Sequence, residues 1–410
     1  MFESNQFLWS RNIGGLCRIR GEEVFKQVLY ALDTNGDLKS LYQLRQEEIE
    51  LARKSPYFCP VCHEMLQIRS GPRTIPHFSH LPKSDCTMMK GGETVEHSRG
   101  KWRLFNWLKN QGYDVYLEQY LPEIRQRPDL YLMANDKRIA IEYQCASVPR
   151  REIEKRTLSY RDAGVFPLWI LGAKHLHSSN FNHYSLSDFA RSFLYHFNDD
   201  YRLYFFHASK NIIWVTSNTK SAGGRRVFAN TFSSIITSLN FPQLFSSVPS
   251  SNMEDQFLSE VKRLWYKNRT VYQSQVSSEE RNYRQYLYLR GYHFSLIPSI
   301  CYLPIPGQVQ TGIRPYVWQT RLILDHFLHL PLGSRVEFPF IQIPSTPNGY
   351  TPHLSQQYLD LLTQLNIIEK TGKNNYIKSK QVSFHKRVED ALEDDRRTLE
   401  QLKNLQRIKI

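Results

Sequence analysis

Three of the six cysteines in this chain, Cys59, Cys62 and Cys86, fall in one short stretch, with His77 and His80 between them. That clustering limits the local fold more than any other feature. Cys59-Pro60-Val61-Cys62 is a C-x₂-C pair, and two thiolates so spaced can hold one tetrahedral ion. His77-Phe78-Ser79-His80 follows, so Cys59, Cys62, His77 and His80 form a regular zinc set, with Cys86 able to replace one histidine. The histidine spacing is shorter than that of the common zinc finger, which excludes that fold. Four ligands leave no open position. The expected ion is therefore a structural Zn²⁺ that staples a small module with too little core of its own.

A disulfide framework is not expected. The segment from Met1 to Ser10 lacks a basic region followed by an apolar one, so no secretory signal is read there. No apolar run approaches the length of a membrane-spanning helix, and the expectation is a cytoplasmic protein with no membrane span. Aromatic residues make up 13% of the chain, which excludes a disordered polypeptide. Lys plus Arg is 53 against 39 for Asp plus Glu, a net charge of +14, so a polyanion such as DNA is the expected partner.

Residues 1–27 show no clear period and read as an upstream extension. Asp33-Thr34-Asn35-Gly36 between two short apolar runs predicts a β-hairpin, so residues 28–90 read as a hairpin followed by the zinc-binding module. Residues 91–175 alternate in an ordered way. The pattern predicts a helix over 94–110, strands over 115–121, 129–134 and 138–145, a charged helix over 150–163 and a strand over 166–171. Residues 176–410 read as a mainly helical region making DNA or partner contacts. Helices are expected over 178–195, 255–265 and 318–330, and over 383–408 without an evident partner stripe. Ser217 to Arg226 reads as a basic, Gly-rich hairpin connection.

Asp129 and Glu142 stand out within the alternating region. If their strands pair around the Asn135-Asp136 turn, counting outward places residue 129 opposite 142. Two carboxylates on neighbouring strands can hold Mg²⁺ through oxygen and leave room for water and a phosphate. Glu96, at the start of the preceding helix, is a candidate third acid. Arg156 and Tyr160 lie four apart on the following helix and share a face, where they can contact phosphate. Arg225 and Arg226 on the Gly-rich loop are further phosphate-contact candidates.

Pro128-Asp129 and Glu142-Tyr143-Gln144, set in the order helix, three strands, helix, strand, resemble the PD-(D/E)xK nuclease superfamily. The run from Cys59 to Gly172 more closely resembles the competence protein CoiA family. It does so through Cys59-Pro60-Val61-Cys62, His77-Phe78-Ser79-His80, Glu96-His97, Arg127-Pro128-Asp129, Ile141-Glu142-Tyr143-Gln144, Arg156-Thr157 with Tyr160, and Trp169-Ile170-Leu171. A looser likeness extends to Tyr316-Val317-Trp318-Gln319. The resemblance implies an α/β nuclease-like domain over residues 91–175. It also implies a Mg²⁺- or Mn²⁺-dependent endo- or exodeoxyribonuclease that processes DNA during natural transformation, near recombination and its proteins. On this likeness Glu96, Asp129, Glu142 and Gln144 are the catalytic set, with Asp129 and Glu142 the metal ligands. Gln144 stands where the superfamily motif has lysine, and Lys101 is the residue that can restore a positive charge from the helix. The alternative is a catalytically inactive DNA-binding or recombination-accessory protein on a nuclease scaffold.

Overall fold

Asp33 shapes the first turn: its Oδ1 accepts hydrogen bonds from the backbone N–H groups of Asn35 and Asp37, both at 2.9 Å. The turn joins β1 (Tyr30–Leu32) and β2 (Leu38–Ser40) as an antiparallel hairpin. This belongs to a computed structural model that describes residues 30–41, 44–60, 62–71, 74–81, 86, 95–180, 182–246 and 253–408. The expected extension over residues 1–27 lies outside the described residues. The chain divides into two units, residues 1–95 and 96–410.

In the first unit, α1 (Gln46–Ala52) is followed by β3 (Tyr57–Phe58), β4 (Met65–Gly71) and β5 (Thr74–Ser79). The five strands form one sheet in the order β2-β1-β3-β4-β5. Its buried core is small: Ala31, Leu41, Leu66 and Phe78 pack with the thiols of Cys59 and Cys86.

The second unit opens with α2 (Val95–Lys109), β6 (Asp114–Leu117), β7 (Leu130–Ala134), β8 (Lys137–Gln144), α3 (Arg150–Asp162) and β9 (Val165–Gly172). This is the expected order, with ends shifted by a residue or a few. Strands β6, β7 and β8 are antiparallel neighbours, and β8 runs parallel to β9. Asn135 and Asp136 both adopt left-handed backbone, with φ of 47° and 61°. A two-residue turn of that hand matches the strand twist, which is why asparagine and aspartate stand there.

The sheet does not stop at residue 175. It continues through β10 (His177–Asn180), β11 (His183–Ser185), β12 (Tyr195–Phe197), β13 (Asp200–His207), β14 (Ile212–Ser221) and β15 (Arg226–Ile235). The order is β10-β11-β15-β14-β13-β9-β8-β7-β6, with β12 on β13. The expected boundary at 175/176 and the helix over 178–195 are therefore corrected. Only α4 (Asp188–Arg191) is helical in that stretch. The physical reason is burial on both faces: Tyr201 to Phe206 is a continuous buried run, so no alternation distinguishes it from helix. The Gly-rich segment does connect a hairpin, β14 to β15.

Beyond the sheet lie α5 (Met253–Thr270), α6 (Ser278–Tyr288), α7 (Pro315–His326) and α8 (Leu354–Gln364). The hairpin β16 (Ile368–Gly372) and β17 (Asn375–Lys378) and then α9 (Val388–Ile408) complete the chain. Helix α7 starts at Pro315, whose missing N–H suits a first helical position, rather than at Trp318. Helix α9 does have a partner. Ala391, Asp395, Thr398 and Leu402 are buried, and Asp395 takes two hydrogen bonds from the buried Arg269 of α5, at 3.0 and 2.7 Å. The expectation of no partner stripe failed because two of its four positions are polar.

One glycine sets the spacing between α2 and the sheet. A Cβ at Gly100 would lie 1.9 Å from Cε1 of Tyr143 on β8. Tyr143 cannot readily yield, because its hydroxyl donates to the carbonyl of Phe206 at 3.0 Å. Gly100→Ala is expected to cost about 1–3 kcal/mol or more, the range of overpacked cores, read as a lowered denaturant midpoint.

Candidate functional site

The β7–β8 hairpin brings two acids together. Leu130 pairs with Ile141, so Asp129 falls opposite Glu142, as counting from the turn predicts. The backbone N–H of Tyr143, next to Glu142, donates to Asp129 Oδ2 at 2.8 Å. Glu142 is 3% exposed, and its carboxylate is gripped from α3. Tyr160 donates its hydroxyl to Oε1 at 2.5 Å, and Arg156 donates Nη2 to the same oxygen. Arg156 also lies over the Trp169 ring, 5.7 Å from its centroid.

Helix α2 supplies the opposite wall. His97 and Lys101, four apart, share a face. His97 Nε2 lies 3.0 Å from Asp129 Oδ2. Lys101 Nζ lies 2.5 Å from Glu118 Oε1 and 4.0 Å from Asp129 Oδ1. Glu118 reaches inward just after β6, where its φ is 48° and its N–H donates to the Asp129 carbonyl at 3.1 Å.

The two acids are driven to opposite protonation behaviour. Burial pushes Asp129 up, but His97, then Lys101 and the Tyr143 N–H, outweigh it and hold the carboxyl well below its usual range. Burial also pushes Glu142 up; Arg156 opposes this, Asp129 adds to it, and the result is a carboxyl raised to about 7. Burial and the neighbouring Glu142 push Tyr160 up, so it stays protonated and donates. A pair of acids with pKa values pushed apart is the pattern of a site equipped for acid–base or metal chemistry.

Other expected members are placed differently. Glu96 accepts from the Ala208 N–H at 2.7 Å and the Ser209 hydroxyl at 2.9 Å, so it ties down the turn after β13 instead of joining the two acids. Gln144 spends its amide on the Ala146 carbonyl at 2.5 Å. Lys101 and Tyr160 are buried, 2% and 0% exposed, and face the two acids. Arg225 and Arg226 are exposed. Sequence reasoning missed His97 and Glu118. His97 had a signal, its four-residue spacing from Lys101; Glu118 had none, because its direction depends on the left-handed backbone.

In the first unit, Cys59, Cys62, His80 and Cys86 place one ligand atom each within 4.8 Å of the others, a cluster that can hold a metal ion such as zinc. Cys59 Sγ lies 3.9 Å from Cys86 Sγ, and Cys62 Sγ lies 3.4 Å from His80 Nε2. The loop after Cys59 is closed by His63 N–H donating to the Cys59 carbonyl at 2.9 Å. His77 is not in the cluster, and Cys86 takes its place. Side chains alternate along β5, so His77 and His80, three apart, project to opposite sides. His80 instead shares the side of Phe78, which packs with Cys59 and Cys86.

The chain matches three family models in succession. These are the competence protein CoiA N-terminal domain over residues 41–89, the nuclease-like domain over 93–249 and the C-terminal domain over 254–392. The nuclease-like match runs across residue 175, as the sheet does. The chain is 35% identical over 149 residues to competence protein CoiA of Bacillus subtilis (strain 168), an alignment covering 36% of this chain and 40% of that protein. No solved structure matches.

Proposed function

Because the chain belongs to the competence protein CoiA family, we propose that it is a DNA nuclease acting during natural transformation, with Asp129 and Glu142 at its centre. The observation that carries this reading is the pairing of half-buried Asp129 with buried Glu142 and their supporting cations. The helix, three-strand, helix, strand order around the pair resembles the PD-(D/E)xK core.

The residues fit a hard divalent cation, Mg²⁺ or Mn²⁺. Their donors are carboxylate oxygens. Burial and the neighbouring Asp129 raise Glu142 to about 7 despite the paired Arg156, so a cation between the two acids would favour its ionised form. Asp129 and Glu142 would hold the ion, which when bound supplies acidity to water and polarises a phosphate. The chain's own groups do the rest. Arg156 and Tyr160 fix the orientation of Glu142, and His97 fixes Asp129. Lys101 provides the cationic charge that Gln144 cannot, held between Glu118 and Asp129. In the first unit the three thiols and His80 suit a structural Zn²⁺.

Purified protein should cut labelled linear, single-stranded or branched DNA when Mg²⁺ or Mn²⁺ is added. The rate should rise between about pH 6 and 8. The sign follows from Glu142: a proton competes with the cation for a carboxyl raised to about 7, and that competition ends as pH rises through the value. Folded protein that cuts none of these substrates would sink the reading. The second reading, a DNA-binding recombination accessory without turnover, is favoured by the Gln144 amide being spent on Ala146. It predicts salt-sensitive binding and no product. In both readings the place of action is the cytoplasm, beside recombination proteins.

A further inference from the structure

The second unit carries an open cleft of about 980 Å³ apart from the acidic pair. Its walls come from the start of α3, from α4, from the β14–β15 turn, from the end of α5 and from the segment entering α7. Six cations line it: Arg150, Arg191, Arg225, Arg226, Lys267 and Arg314, against the acids Asp188 and Glu279. Some of that charge is already matched. Arg150 pairs with Glu154 at 2.8 Å, Arg226 lies 3.7 Å from Glu260, and Arg314 pairs with the buried Glu280. Arg225 and Lys267 are exposed and have no acidic partner among the described residues.

Arg191 is the informative member. It is 4% exposed, and its Nη atoms donate to the carbonyls of Val309 and Gly224. Its Nε has no hydrogen-bond partner, and the exposed Asp188 carboxylate stands 3.6 Å away. Asp188 is therefore the ion-pair partner of this buried guanidinium, and Arg191 braces the β14–β15 turn through Gly224 and the segment before α7 through Val309. The turn beside it is held in place: a Cβ at Gly223, whose φ is +112°, would lie 2.4 Å from Pro315 Cδ. Arg225 is thus carried on a packed turn.

Aromatic surface adjoins the charge. Trp265 lines the cleft, and Tyr272, next to the lining residue Gln273, is 86% exposed. Trp265 is buried in the wall, but the exposed Tyr272 ring beside unpaired cations suits a flexible strand whose bases are free to stack; in a duplex they are already stacked and paired. We propose that this cleft binds a tract of single-stranded nucleic acid, with phosphates at Arg225 and Lys267, the two exposed cations without an acidic partner among the described residues, and a base on Tyr272. Arg150 and Arg156 both lie on α3, roughly 9 Å apart along its axis at 1.5 Å per residue, so a strand leaving the cleft runs toward Glu142. Binding here does not require hydrolysis at Glu142, so the two proposals fail separately.

The test is fluorescence anisotropy of a labelled oligothymidylate with the full chain, without added divalent cation. Arg225→Glu with Lys267→Glu is expected to weaken binding more than tenfold. It should also flatten the salt slope by about 1.4, roughly 0.7 for each lost phosphate contact on a single strand. Tyr272→Ala should weaken binding roughly tenfold with the salt slope unchanged. Arg225→Gln with Lys267→Gln gives the same reading if charge reversal disturbs folding. The proposal is overturned if the charge variants bind as wild type. It also fails if Lys373→Glu with Lys380→Glu, outside the cleft, weakens binding as much, or if duplex competes equally.

Discussion

Asp129→Asn is expected to lower DNA cleavage by more than ~100-fold while leaving the protein folded. The replacement keeps a side-chain oxygen to accept from the Tyr143 N–H and keeps nearly the same volume. What it removes is the negative charge facing His97 and Lys101, and with it one of two carboxylates able to hold a divalent cation. Loss of a group that merely supports a metal ligand costs ~10–100-fold, so loss of the ligand itself should exceed that. Glu142→Gln should act alike, since it removes the other carboxylate. Gln144→Ala should cost less, because the Gln144 amide serves the Ala146 carbonyl. Single-turnover cleavage with protein in excess reads all three, and thermal unfolding checks that each is folded. Wild-type rates in both acid variants would remove Asp129 and Glu142 from the mechanism.

Removing metal from the Cys59–Cys62–His80–Cys86 cluster should unfold the first unit and spare the second. Among the described residues, the first unit's hydrophobic cluster is four apolar side chains packed on two of the cluster's own thiols, a small core for a five-stranded sheet. A structural zinc contributes on the order of 10 kcal/mol to folding in such modules. With a chelator, amides of β1 to β5 should lose hydrogen-exchange protection, and those of β8, β9 and β13, which lie in a buried sheet, should keep it. Cys86→Ser should lower bound zinc, whereas His77→Ala should leave one zinc per chain. Equal zinc loss in both variants would return His77 to the ligand set.

The candidate acids were legible because hairpin register is arithmetic. Once Asn135-Asp136 is recognised as a two-residue turn, residue 129 must face residue 142. The element order from α2 to β9 was legible for a related reason: amphipathic helices alternate with short apolar runs bounded by turn residues. The zinc-module histidine was also open to parity. His77 and His80 cannot project to the same side of one strand, although spacing alone left Cys86 and His77 as equals.

Residues 176–235 were misread because a strand buried on both faces has no period to detect. The pairing that extends the sheet, Phe205 with Leu171 and Phe206 with Gly172, joins distant parts of the chain. Glu118 and the Arg191 cleft were invisible for the same kind of reason. The sequence by itself determined the cysteines able to hold a metal, the helix–strand order and the facing of Asp129 and Glu142, because local spacing and strand parity are enough for those. Only the tertiary structure decided that Glu96 ties a turn, that His97 and Lys101 hold Asp129, and that Arg191 lies buried against the carbonyls of Val309 and Gly224, because burial and hydrogen bonding of this kind arise between segments far apart in the chain.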